Sequence, residues 1–399
     1  MKKSFLIFLI TVCIPSCFVS LLHAGNGSLT GTEPYLQNPT DDSVTIMWHT
    51  EKPAYGWIEY GKTDAFGEKT DTVIDGLRSA NTTLHKIRIT GLEPGSTYYY
   101  RACSKPIVSF APYEVIFDDV VFSGTYTFKT FPPPASKISC VIFNDLHNNY
   151  ALYDSLCGAL GDTDYQFSIF NGDCFSDPQS GNAVLEALTK YNKGISAFSR
   201  PPVFIRGNHE SRGAYARDLK KNFDYPGDEF FFAMTAGPIR FVFLDCGEDK
   251  TDDHAEYSGL TDFSGYRERQ KKWLSGEIKS DAFRNASFRI LVHHIPLYNL
   301  KDRGISRFSR TLWAPVLDEA QIDLAISGHV HRYGFVPAGA AGNNYPALIG
   351  GGSKNGTVMV LTAEGEQLGI KVLNEGGEII GTFEKIGDNE LKATSNSGI

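Results

Sequence analysis

The sequence predicts two domains in tandem, an all-β sandwich followed by an α/β domain, and three observations carry that expectation. From Glu33 to Phe131, short alternating strands follow one another with turn residues between them and no helical periodicity, the pattern of a small β-sandwich. Pro132-Pro133-Pro134 then makes a stiff spacer. Behind the prolines, apolar runs alternate with helical patterns, as in an α/β domain whose central strands are covered on both faces. A length of 399 residues suits two domains, at most three, at ~150 residues each. With 13% aromatic and 21% charged residues, the chain is not disordered, collagen-like or a simple coiled coil.

At the start of the chain, Lys2 and Lys3 precede an uncharged apolar run from Phe5 to Leu22, with Ala24 and Gly25 at its exit. That is the layout of a secretory signal peptide, residues 1–24, cleaved near Ala24. Two alternatives stay open. The run is just long enough for an uncleaved anchor, although Pro15 interrupts it. Ile14-Pro15-Ser16-Cys17 resembles a lipoprotein processing site, with a lipid anchor at Cys17. Each reading exports the chain, as a periplasmic, cell-surface or secreted protein. Cleavage moves the net charge from −8 to −10 and leaves Cys103, Cys140, Cys157, Cys174 and Cys246, an odd number that allows a disulfide but strands a thiol. No C-x-x-C pair marks a thiolate zinc site or a redox motif. The acidity argues against nucleic-acid binding by a basic face, but not against a small anionic substrate, because local charges set the field at one site.

The front domain is expected over residues 28–131. Its strands read as Ser43–Thr50, Gly56–Tyr60, His85–Thr90, Thr97–Arg101 and Gly124–Thr130, with Gly91-Leu92-Glu93-Pro94-Gly95 as a strong turn and Trp48 and Trp57 in the core. The second domain is expected over residues 137–386. Apolar strands fall at Lys137–Phe143, Phe167–Phe170, Val203–Ile205, Ile239–Leu244, Phe288–Val292 and Ile322–Ile326. Helical patterns fall at Tyr150–Leu160, Gly265–Lys279 and Ser309–Ala320. Past Gly350-Gly351-Gly352 the strands Thr357–Thr362, Gln367–Leu373 and Glu378–Phe383 lose their helices and read as an antiparallel finish, before a polar tail over residues 387–399.

Nearly every apolar strand of the second domain ends in residues able to hold a metal. In order these are Asn144-Asp145-Leu146-His147, Asn171-Gly172-Asp173, Gly207-Asn208-His209-Glu210, His293-His294-Ile295-Pro296 and Gly328-His329-Val330-His331. Ligand residues of α/β folds gather at the carboxyl ends of strands, and a mixed oxygen and nitrogen set suits Fe, Mn or Zn rather than Ca. Each fragment alone is weak, since an isolated Gly-Asp is usually a turn. Five in one order, each after an apolar strand, are not coincidence.

That order, Asp-x-His, Gly-Asp, Gly-Asn-His-Glu, His-x-Pro, Gly-His-x-His, resembles the calcineurin-like metallophosphoesterase superfamily. The front domain, with its Thr90–Arg101 segment TGLEPGSTYYYR, resembles the fibronectin-type-III-like domain of purple acid phosphatases. The resemblance implies a β-sandwich flanked by helices with a binuclear metal centre. By that resemblance Asp145, His147 and His331 hold one ion, Asn208, His294 and His329 the other, and Asp173 bridges them. It also implies a metal-dependent phosphatase in which a metal-activated hydroxide attacks phosphorus. His209 would protonate the leaving oxygen and Glu210 would orient its ring. The sequence departs from the purple enzymes in carrying Ser176 where they have a tyrosine ligand and His147 where they have glycine. An imidazole thus replaces the phenolate, and the protein should not be purple.

His293, Tyr298 and Arg332 are the candidates for lining a substrate pocket, and Asn299 and Tyr333 are equally placed; His293, beside the proposed ligand His294, reads first as a structural residue. The acidic stretch Asp249–His254 reads as a solvated loop. The function expected is an exported phosphohydrolase acting on small phosphate esters, monoesters favoured. The alternatives are a phosphodiesterase with the same site, and a non-catalytic surface binding protein using the β-sandwich.

Overall fold

The computed structural model of the chain describes residues 32–134 and 136–394. The expected signal segment over residues 1–24 and the candidate anchor Cys17 lie outside the described residues. Among the described residues no helix is long and apolar enough to cross a membrane, and all five cysteines are free thiols.

The front domain is an eight-stranded antiparallel assembly built on one long strand, Val44–Gly61. The sequence reads this stretch as two strands, because the apolar alternation lapses at Thr50-Glu51-Lys52-Pro53. The backbone stays extended there, and the register shifts between His49 and Ala54. Such a bulge lets Pro53, which has no N–H to donate, sit in a strand. The first half pairs with Tyr35–Gln37 and Thr82–Ile89, and the second with Thr97–Ala111. One strand thereby joins both layers. Trp48 and Trp57 are buried as expected, and Trp48 Nε1 donates to Ser104 Oγ at 2.9 Å.

The second domain is a sandwich of two mixed sheets with helices outside. In the first sheet Pro202–Ile205, Phe167–Asn171 and Ile138–Phe143 run parallel, and Thr357–Glu364, Gln367–Asn374 and Ile379–Ile386 continue it antiparallel. The second sheet has Ile239–Leu244, Phe288–His293, Leu324–Ser327 and Ala347–Ile349 as parallel neighbours. Strand periodicity of two explains the layering. Phe241, Phe243, Ile290, Val292 and Ile326 face the first sheet in the main core. Val242, Leu244, Leu291 and Ala325 face outward against Leu274, Trp313 and Leu317 of the helices Phe263–Glu277 and Arg307–Leu317. These helices begin two residues earlier than the apolar pattern suggests, because the side chains of Asp262 and Ser306 cap them.

The structure adds a helix over Gly181–Ile195 that the sequence reading does not include. Val184, Leu188, Tyr191 and Ile195 are its buried stripe and Ser180 its cap, but glycines at both ends hide the pattern. An added strand, Phe232–Ala236, pairs with Ile239–Leu244 as a hairpin.

The front domain is docked on the second through hydrogen bonds at a largely buried seam. Tyr35 Oη donates to Asn222 O at 2.9 Å, Leu36 N to Ala197 O at 2.9 Å, and Tyr100 Oη to Phe198 O at 2.7 Å. Tyr35, Met47 and Phe131 also belong to the second domain's core cluster. The two domains share one interior at this seam. Tyr35→Phe leaves the Asn222 carbonyl buried without its donor, so denaturant unfolding should show a loss of about 1–3 kcal/mol; an unchanged midpoint means the bond does not hold the seam.

Candidate metal centre

Five strand ends converge at one mouth of the sandwich, three from the first sheet and two from the second. Asp145 and His147 follow Ile138–Phe143, Asp173 follows Phe167–Asn171, and Asn208 follows Pro202–Ile205. From the facing sheet, His294 follows Phe288–His293, and His329 and His331 follow Leu324–Ser327. Backbone hydrogen bonds tie these ends together: Asp145 N to Gly172 O at 3.0 Å, His147 N to Asp173 O at 2.9 Å, and Gly328 N to His294 O at 2.8 Å.

The turn residues here are the donors themselves. Asp145, His147, Asp173, His329 and His331 all have left-handed backbone, with φ between 46° and 69°. Non-glycine residues seldom sit there, Asp, Asn and His more readily than most. The glycines beside them serve mainly close approach. A Cβ on Gly207 would collide with the Asp173 carboxylate, and one on Gly328 with that of Asp145.

The donors form two groups that share one residue. Asp145, His147, Asp173 and His331 bring ligand atoms within 4.8 Å of one another, and so do Asp173, His294 and His329. Asn208 joins the second group, its Oδ1 lying 2.9 Å from His329 Nδ1. The atoms fit cations rather than a self-sufficient hydrogen-bond network. His147 Nε2 and His331 Nε2 face each other at 3.0 Å. His294 Nδ1 lies 2.8 Å from the Asn171 carbonyl, so it donates there and leaves Nε2 as the lone-pair atom. That buried Nε2 is 3.0 Å from Asp173 Oδ2 and still makes no hydrogen bond. Among the described residues only histidines pair with the carboxylates of Asp145 and Asp173.

The charges respond accordingly. Burial opposes ionisation of Asp173, but the His294 imidazole outweighs it and holds the carboxyl below its usual range. Burial also opposes a proton on His294, yet Asp173 and Asp145 push its pKa up to about 10. Burial, then the neighbouring His294, takes His329 down to about 4. The two acids thus favour positive charge at His294 Nε2, which a proton or a cation can supply, while His329 stays neutral with one ring nitrogen free to accept.

His209 sits on the rim. Its backbone N donates to Asp173 Oδ1 at 2.9 Å, its ring packs edge-on to His147 at 4.7 Å, and Nδ1 lies 3.0 Å from Asp177 Oδ1. Asp177, not Glu210, is therefore the carboxylate that orients it, which corrects the expectation for Glu210. Glu210 is fully buried and accepts from the N–H groups of Gly207, Asp173 and Phe175 at 2.7, 2.8 and 2.9 Å. Burial, with the Asp173 charge beside it, pushes its pKa up to about 8 against those donors. Its task is to clamp the second and third loops.

Two pocket candidates lie inside instead: His293 in the structural place of its first reading, and Tyr298 against its expectation. His293 is buried, with Nδ1 2.8 Å from Ile295 O, and burial takes its pKa down to about 4. Tyr298 is in the core between the second sheet and its helices, against Tyr345. The apolar residues just before each, Leu291-Val292 and Pro296-Leu297, are the signal that pointed inward. Arg332, Asn299 and Tyr333 do line a cavity beside the donors. In the acidic loop, Asp252 accepts from Phe263 N and Ser264 N at the start of a helix, and Asp249 pairs with Lys250 and Arg212. The sequence reading misses Asp177, which stands four residues after Asp173 in no pattern. It names Asn144 but gives it no role, and its Nδ2 donates to Asp145 Oδ2 and Gly351 O at 2.6 Å each.

Comparison with known proteins agrees with this geometry. Residues 138–333 match the family described as calcineurin-like phosphoesterase, and residues 32–130 match the purple acid phosphatase N-terminal domain. The chain is 22% identical to Purple acid phosphatase 23 of Arabidopsis thaliana over 340 residues, 77% of this chain and 69% of that protein. Its fold is shared with purple acid phosphatase PPD1 from yellow lupin (Lupinus luteus) seeds, at a TM-score of 0.66 and 16% identity over 88% of this chain and 73% of that one. It is also shared with PhoD, at a TM-score of 0.65 and 12% identity over 92% of each chain.

Glu210→Ala strips a buried acceptor from three N–H groups and should cost roughly 3 kcal/mol or more of stability in chemical denaturation. Asp177→Ala, on a half-exposed rim, should stay within about 0.5 kcal/mol. Equal losses in the two variants would mean that Glu210 is not the clamp.

Proposed function

We propose, from the premise that this chain is a metal-dependent phosphatase with a calcineurin-like phosphoesterase domain behind a purple acid phosphatase N-terminal domain, that it is an exported hydrolase of small phosphate monoesters. The observation that carries the reading is the convergence of seven donors in two groups that share Asp173. In this proposal Asp145, His147 and His331 would hold one ion and Asn208, His294 and His329 the other, with Asp173 shared between the two groups. Two bound ions would neutralise phosphate oxygens and acidify a water for in-line attack.

The chain's own residues supply the rest. His209 N–H fixes Asp173, and the His209 ring, held by Asp177, stands where it can give a proton to the leaving oxygen. Glu210 keeps the loops of Asp173 and Asn208 in register. Ser176 is exposed and offers no phenolate, so an imidazole from His147 takes that place and no tyrosinate colour is expected. A monoester dianion suits a pair of cations better than a diester monoanion does. Export rests on the apolar segment Phe5–Leu22 behind Lys2 and Lys3.

Elemental analysis and hydrolysis of 4-nitrophenyl phosphate against bis(4-nitrophenyl) phosphate test the reading together. About two ions per chain, chelator-sensitive turnover and faster monoester cleavage are expected. His209→Ala should lower kcat by about 100-fold or more with metal content unchanged, whereas Asp173→Asn should lose both metal and activity. Loss of both metals in His209→Ala would make His209 a ligand, and a metal-loaded chain without turnover would sink the hydrolase assignment.

A further inference from the structure

We infer that the cavity beside His329 and His331 is a subsite for the alcohol part of the substrate, selecting esters whose alcohol has an apolar body ending in a second anionic group. The inference rests on the phosphoesterase reading above and names its substrate class. The cavity measures about 780 Å³, within the ordinary range for small-molecule sites. Leu300, Val330, Phe335 and Val336 give it an apolar floor. Lys301, Arg303 and Arg332 also line it, and no carboxylate does. A lining of one sign is a departure in a chain with 46 acidic and 38 basic residues. The acid nearest in sequence, Asp302, is engaged by Arg307 and Arg310. The cavity's three cations therefore keep no carboxylate partner among the described residues.

The cavity lies next to the donors. Val330 and Arg332 alternate with His329 and His331 along the same turn. On the wall, Gly304 lies so close that a Cβ there would come within 3.9 Å of the His329 ring. The His147 ring touches both His209, at 4.7 Å, and His331, at 4.9 Å. An ester oxygen in reach of His209 is therefore one imidazole away from the turn that leads into the cavity. A site for the phosphoryl group alone needs no apolar floor, and a site for a greasy alcohol needs no unpaired cations. Both together describe an amphipathic anion, its body desolvated by the floor and its end held by charge-assisted hydrogen bonds.

Hexyl phosphate and 6-phosphonooxyhexanoate differ only in a terminal carboxylate and test the subsite on the full chain loaded with metal. The carboxylated ester should be preferred by about tenfold or more in kcat/KM, the worth of one charge-assisted hydrogen bond. That ratio should fall to within about twofold in the Arg303→Ala, Arg332→Ala double variant and largely survive in Arg332→Lys. Calorimetric binding of the matched phosphonates should give the same ordering without turnover. Hydrolysis of both esters with a ratio near one, or a ratio indifferent to the variants, overturns the subsite and leaves the phosphoesterase reading standing. Hydrolysis of neither ester removes that reading, and the subsite with it.

Discussion

Three carboxylates buried at one mouth of a β-sandwich set the terms for everything around them. Asp145, Asp173 and Glu210 are almost inaccessible to solvent, and unpaired burial of a charge is among the costliest arrangements a protein can adopt. Glu210 is relieved by three backbone N–H groups. Asp145 and Asp173 accept a few hydrogen bonds, but among the described residues their ion-pair partners are histidines alone, and one of these, His294, is pulled to an elevated pKa beside them. A hydrogen-bonded core would have supplied a lysine or arginine. Acids beside imidazole lone pairs make sense as the ligand field of cations.

The backbone accepts a second cost for the same end. Five donors hold left-handed conformations, each unfavourable by about 1–2 kcal/mol for an ordinary residue. Such strain persists only where the surroundings over-determine it. Here they do: parallel strands from two facing sheets deliver the loops, backbone hydrogen bonds lock loop to loop, and Gly207 and Gly328 let carboxylates lie flat against neighbouring chain. The rigid sandwich and the strained turns are one device.

This division explains what the sequence disclosed. The strand cores were legible because their apolar runs are unbroken, and the donors were legible because each closes such a run; Ile239–Leu244 and the helix Tyr150–Leu160 fall where the pattern puts them. The long strand Val44–Gly61 was not, since its bulge breaks the period of two, and the helix Gly181–Ile195 was masked by its glycines. The roles of Glu210 and Asp177 were illegible for a different reason. Adjacency in sequence put Glu210 next to His209, but a short helical turn over His209–Ser211 sends the two side chains in opposite directions. Only the three-dimensional path of the second loop brings Asp177 to the ring. Residue type announces what a side chain can do, whereas its partner is a property of the fold.

The same reasoning links the site to the stability of the sandwich. The donors come from both sheets, so whatever cation they hold also ties one sheet to the other. Bound cations would relieve the repulsion between Asp145 and Asp173 only in the folded chain, because the unfolded chain scatters the donors along nearly 190 residues from Asp145 to His331. Binding that favours the folded state adds to its stability in proportion to the logarithm of ligand over Kd. The apolar sandwich is therefore the part that must fold without help, and the mouth is the part completed by what it binds. That ordering fits the aliphatic and aromatic cluster packed between the sheets, with Asp145, Asp173, Glu210 and His294 buried together at the mouth.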